Sequence, residues 1–263
     1  MRRLIPLLVA LLLGACATSV SAPEPTADRA AGAPDAPSPT VVALPSPIAT
    51  ATATAAPTAT AGASAVPGDK LGSAAADFDC DGRADRLEFF ARDTGGPFAT
   101  TLARLTVASG SASEVTLGFD DGFSPLLGVT DVNGDGCDDA IVTVGHGAST
   151  VATGFLVFDD GLRRVEENGK PATFLFAGSV RHGNSIECRR TKDTPEIVAR
   201  GVSDYSSDYA WDLVEDVHHW YSRSRLELWS TTRSIIAVSV AYAIPADHDR
   251  YWGLSCGNVR APG

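Results

Sequence analysis

From residue 69 onward the chain is a succession of short runs in which apolar and polar residues alternate or β-branched residues follow one another, divided by Gly, Asp and Pro. Such runs read as strands, because successive side chains of a strand point to opposite faces. The clearest are R-L-E-F-F at 86–90, T-L-A-R-L-T-V at 101–107, A-I-V-T-V at 140–144, G-F-L-V-F at 154–158, and 235–243. Residues 209–221 alternate too, with Tyr209, Trp211, Leu213, Val217 and Tyr221 on one face; helical spacing through Trp211, Val214 and Val217 is the weaker pattern. F-D-D-G occurs at 119–122 and 158–161, and Asp-Gly suits the positive-φ positions of hairpin turns. No amphipathic helix of normal length stands out. The pattern predicts an all-β domain over residues 69–263.

The N-terminal part reads differently. Arg2 and Arg3 precede an apolar run at 4–13, too short to span a bilayer and typical of an export signal. Residues 16–68 are dominated by Pro, Ala, Thr and Ser, a composition that cannot bury enough apolar surface to offset the entropy of ordering. The expectation is a signal over 1–15, an anchor and disordered tether over 16–68, and the folded domain after it.

Candidate chemistry centres on D-V-N-G-D-G-C-D-D at 131–139. Asp131, Asn133, Asp135 and Asp139 supply oxygens, and the carbonyl of Cys137 is the natural main-chain donor. Gly134 and Gly136 permit the tight turn that aims these groups at one point. A hard cation such as calcium takes six to eight oxygens at about 2.3–2.6 Å. D-F-D-C-D-G-R-A-D at 77–85 repeats the pattern, with Asp77, Asp79, Asp81 and Asp85 as side-chain ligands and Arg83 as carbonyl donor. Each copy leads into an apolar strand. Uncompensated, the acids of a loop would repel one another, so the expectation is two calcium ions, one per loop.

The two loops resemble the FG-GAP/VCBS repeat of integrin-type β-propellers and bacterial surface proteins, in which D-x-[DN]-x-D-G-x-x-D joins two strands of a blade. An EF-hand fits less well: Glu88 stands at position twelve of the first copy, but Val142 at that of the second. The resemblance implies short antiparallel sheets in a propeller-like array, open or incomplete, that serves a structural, adhesive or ligand-recognition role. A third unit, its ligands lost, is expected around Cys188, with I-E-C and E-I-V-A-R as strands and R-R-T-K-D-T-P as the loop. L-G-A-C at 13–16 resembles the lipobox of bacterial lipoproteins. That implies cleavage before Cys16, a diacylglyceryl membrane anchor there, and a place on the extracytoplasmic side of the bacterial cell envelope.

Four other cysteines remain: Cys80, Cys137, Cys188 and Cys256. An even count in an exported domain favours two disulfides, and four cysteines allow three pairings. Position ranks Cys80–Cys137 first, since both lie in the Asp loops of neighbouring repeats, together with Cys188–Cys256 in the C-terminal third. A formal net charge of −11 argues against a nucleic-acid partner. Two other functions compete with the calcium-binding reading. A secreted hydrolase would draw on His146, His182, His218, His219 or His248, though none stands in a metal-protease spacing and D-H-D at 247–249 reads as a solvated turn. A carbohydrate- or protein-binding aromatic face would draw on Tyr205, Tyr209, Trp211, Trp220, Tyr221, Trp229, Tyr251 and Trp252, rings that could equally build the C-terminal core.

Overall fold

A computed structural model describes residues 68–92, 100–119 and 123–263, all within one compact unit, Ala59–Gly263. The export signal, Cys16 and almost all of the Pro-rich segment lie outside the described residues, as does most of the first F-D-D-G.

The first sheet is a four-stranded meander of β1 (Lys70–Ala76), β2 (Asp85–Arg92), β3 (Thr100–Thr106) and β4 (Ala112–Phe119). Its order recurs in β5 (Leu126–Thr130), β6 (Asp139–His146), β7 (Val151–Phe158) and β8 (Leu162–Arg164), each strand antiparallel to the one before. In both units an Asp/Gly loop joins the first two strands. The second F-D-D-G is a hairpin turn between β7 and β8, with Asp160 and Gly161 at φ 52° and 124°.

Sequence pattern explains why β6 and β7 are central. β2 alternates, burying Leu87 and Phe89 against the second unit; A-I-V and F-L-V do not alternate. A strand covered on both faces reads as a continuous apolar run. Here Ala140, Val142 and Leu156 pack with Leu87, Phe89 and Leu105, while Ile141, Phe155 and Val157 face a second core with Phe174, Ile186 and Ile197. Each large side chain so buried contributes roughly 1.5–3 kcal/mol.

The second core lies against a broader sheet. Two short strands, β9 (Glu166–Glu167) and β10 (Lys170–Pro171), precede a long meander. That meander is β11 (Phe174–Ser179), β12 (His182–Thr191), β13 (Thr194–Ser203), β14 (Ala210–Ser222) and β15 (Arg225–Ala237). Pairing of β11 with β7 fuses it to the second unit, so the described sheets form an open all-β array with no closed barrel. The chain ends in α1 (His248–Trp252) and a hairpin of β16 (Leu254–Cys256) and β17 (Val259–Ala261), with β16 parallel to β12. Gly183 admits this closure: a Cβ there would come within 2.3 Å of the Trp252 indole.

Three expectations need correction. The R-R-T-K-D-T-P segment is not a loop. Residues 189–191 belong to β12 and 194–195 to β13, leaving a two-residue turn of Lys192 and Asp193 at φ 50° and 68°. Left-handed turn residues match the twist of the flanking strands, so this hairpin needs no longer connection. The run 235–243 is strand only to Ala237, because its partner β14 begins at Ala210, which pairs with Ala237. Past that point Val238 and Tyr242 donate to the carbonyls of Tyr209 and Asp208 instead. Third, D-H-D opens α1 and is not wholly solvated: His248 stacks on the buried Trp252 with ring centroids 4.5 Å apart.

Over 209–221 the strand reading holds from Ala210, but the single face does not: register shifts after Val217 and Trp220 break the alternation, and Tyr209 precedes the strand. Trp211, Tyr251 and Trp252 build a satellite core, whereas Tyr205, Tyr209, Tyr221 and Trp229 are exposed.

Candidate metal centre

The two Asp/Gly loops share one backbone conformation. Cys80 and Gly134, at the fourth position, have φ of 61° and 81°; Gly82 and Gly136, at the sixth, have 80° and 89°. Left-handed φ is routine for Gly and strained for Cys, and the first loop holds Cys80 there within a disulfide. At the second position Phe78 and Val132 turn inward and are buried, each plugging one of the two cores.

The Asp side chains cap the loop backbone in parallel fashion. Asp77 accepts from the N–H groups of Asp81 and Gly82, and Asp131 from those of Gly134 and Gly136. The third- and fifth-position oxygens accept from the N–H two residues on, at 2.8–3.1 Å across both loops. The last acid is the deepest. Asp85 accepts from Phe78 and Asp79, and Asp139 from Val132 and Asn133. Both carboxylates are almost fully buried. Burial pushes Asp139 up to about 8, with Asp135 and Asp131 adding to the shift and the N–H donors of Val132 and Asn133 opposing it.

The loops adjoin. Asp138 donates its N–H to the Asp77 carbonyl at 2.9 Å, and the Asp138 carboxylate accepts from the Asp77 N–H at 3.1 Å. Cys80 and Cys137 are disulfide-bonded with Cα atoms 5.0 Å apart, and Cys188 and Cys256 form the second disulfide, at 4.5 Å. Both bonds follow the ranked pairing.

The electrostatics of the loops differ. In the first, carboxylate oxygens of Asp77, Asp79 and Asp85 all lie within 4.8 Å of one another. Asp81 turns to the Arg83 guanidinium, whose hydrogen bond draws its carboxyl below the ordinary range. Partial desolvation, followed by the neighbouring acids, raises Asp79. In the second loop the acids face cations from the broad sheet. Arg190 of β12 reaches Asp131 at 3.2 Å, and Arg223 of the β14–β15 turn reaches Asp135 at 3.3 Å. Asn133 donates to the Arg223 carbonyl and to Asp135. A Cβ on Gly134 would meet the Arg190 guanidinium at 3.0 Å, so a glycine there leaves room for that pair. Around this loop the close donor set is Asp135 with Cys80 and Cys137, whose sulfurs are already bonded to each other. The peptide N–H groups of Arg83 and Cys137 are held by Asp81 and Asp135, which gives the two expected carbonyl donors equivalent places in their loops.

Asp138, Arg190 and Arg223 were not legible as parts of this site. Arg190 reads as part of a separate third unit, Arg223 stands in no motif, and Asp138 reads as an ordinary member of an acidic pair.

The histidines divide their contacts. His182 meets the hydroxyls of Ser179, Ser149 and Tyr205, at 2.8–3.5 Å. Carboxylates fall to three others: Glu167 on His218, Glu196 on His219 and Asp249 on His248. Compared with known proteins, the chain matches no family model, no curated protein and no solved structure.

Proposed function

We propose that the chain is a calcium-braced β-repeat lipoprotein, held by Cys16 on the extracytoplasmic face of a membrane, with a structural or recognition role. The observation that carries the metal reading is the convergence of Asp77, Asp79 and Asp85 in a loop that already points its oxygens inward. These donors fit calcium, which takes carboxylates without strict geometry. Bound there, the ion would supply the positive charge that the three acids lack. The second loop offers the same backbone, but Arg190 and Arg223 already compensate two of its acids, so it is the weaker site. Both disulfides accord with an oxidising compartment.

Titration of the chelator-stripped protein with calcium, followed by calorimetry, should give a tighter and a weaker event. At 100 times the dissociation constant the tighter event should add roughly 2.7 kcal/mol to stability. Asp79→Asn should remove that event, and Asp135→Ala only the weaker one. A native protein that takes up no calcium sinks the reading.

Anchoring has its own check. Cys16→Ser should move the protein from the detergent phase to the aqueous phase, or trap it as precursor, because two acyl chains are needed for stable attachment. Partitioning unchanged by the substitution would exclude the anchor.

A further inference from the structure

A cleft of about 680 Å³ opens on the outer face of the broad sheet, between β12, β13, α1 and the β16–β17 hairpin. It shares no residue with the Asp/Gly loops. Four arginines line it, Arg189, Arg200, Arg250 and Arg260, in a chain whose net charge is −11. Two are already committed. Arg200 is buried and bonded to Glu187 and Glu215, at 2.6 and 2.7 Å, and Arg189 donates to Glu196 at 2.8 Å.

The other two are not. Among the described residues neither Arg250 nor Arg260 forms an ion pair. Arg260 is steadied by donating through Nη1 to the carbonyls of Gly257 and Val259, and Arg250 lies 5.7 Å from the Tyr251 ring centroid. The remaining lining acids do not neutralise them: Glu187 is held by Arg200, and Asp249 is fully exposed beside His248.

A second observation lies on the cleft floor. Ser185, opposite Arg200 in the β12–β13 ladder, is 2% exposed, and its hydroxyl has no hydrogen-bond partner. A buried polar group without a partner costs on the order of 1–3 kcal/mol. Two uncompensated guanidiniums and one orphan hydroxyl around a cavity of ligand size form a donor set for an oxyanion. Leu254 and Pro262 add apolar wall.

We infer that this cleft binds a small organic molecule carrying one carboxylate or phosphate group. Arg250 and Arg260 hold the anionic group, and Ser185 donates to it or to a neighbouring oxygen. The chain's net charge of −11 disfavours a large polyanion, which would meet repulsion beyond the local contacts.

The test is calorimetry on the full chain with methyl glucuronide, glucose 6-phosphate and, as neutral control, methyl glucoside. An anionic probe should bind with a dissociation constant on the order of 1 mM, and the neutral one at least tenfold more weakly. Response to the glucuronide alone assigns a carboxylate site; response to both assigns a general oxyanion site. Arg250→Ala and Arg260→Ala should each weaken binding roughly tenfold, while Arg163→Ala, remote from the cleft lining, should not. Ser185→Ala separates binding from folding. Removing an unpartnered hydroxyl should leave the melting temperature unchanged or higher, yet weaken binding several-fold. Equal binding of the neutral probe, no saturable binding of any probe, or full affinity in both arginine variants would overturn the inference.

Discussion

Reduction of both disulfides is expected to unfold the described domain at physiological temperature. The bonds join residues 57 and 68 positions apart, Cys80 to Cys137 and Cys188 to Cys256. In the chain-entropy treatment each restrains the unfolded state by about 4 kcal/mol. Their sum is comparable with the 5–15 kcal/mol that holds a typical domain folded. The two losses should differ in kind. Cys188 and Cys256 face each other directly in the parallel β12–β16 contact, a ladder of three residue pairs. Cys188→Ser with Cys256→Ser should therefore release β16, β17 and α1 first, exposing Trp252. Cys80→Ser with Cys137→Ser separates the two repeats at their loops and should lower global stability. Urea unfolding followed by tryptophan fluorescence and far-ultraviolet circular dichroism tests both. Midpoints unmoved by either double substitution would show that neither bond restrains the fold.

Asp85→Ala should cost about 3–5 kcal/mol even in the presence of chelator. Three backbone donors end on this buried carboxylate: Phe78 at 2.9 Å, Asp79 at 3.1 Å and Ala108 at 2.8 Å. Alanine would take the acceptor from all three, and the N–H of Phe78 is buried away from water. It would also free Phe78, which plugs the first core, and the β3–β4 turn that contains Ala108. Asp85→Asn keeps one acceptor oxygen and should lose much less. Working without calcium matters, because the same residue belongs to the converging acids. A loss below about 1 kcal/mol in chelator would mean that Asp85 serves the metal alone.

Much of this architecture is legible because its determinants are local. Nine residues carry the loop: Asp or Asn at alternate positions bond the N–H groups two to five residues ahead, and the left-handed positions fall at Cys80 or Gly134 and at Gly82 or Gly136. Alternation marks β2 and β14, and unbroken apolar runs mark β6 and β7 as doubly covered. The Cys80–Cys137 pairing accords with the repeat, since equivalent loops of neighbouring meanders end on the same side.

Where an element stops, and what it meets, was decided by tertiary structure. The run 235–243 has the composition of a strand throughout, yet ends at Ala237 because its ladder partner ends. The Lys192–Asp193 turn looked like the middle of a longer loop because the flanking Arg and Thr are polar and Pro suits turns; pairing across the hairpin absorbs them into strands. Charge placement is least local of all. Arg190 and Arg223 reach the second loop only because β11 pairs with β7 and lays the broad sheet alongside the second repeat. The same registers set Ser185 opposite Arg200, and the chain end then carries Arg250 and Arg260 to the cleft. Sequence by itself determined most of the strands and the twin acid loops, whose causes lie within a few residues or within one repeat, and it ranked the cysteine pairings. Only the tertiary structure decided which acids stand together, which are met by arginine, and where a cavity remains, because sheet order and register bring distant residues within the few ångströms over which charges and hydrogen bonds act.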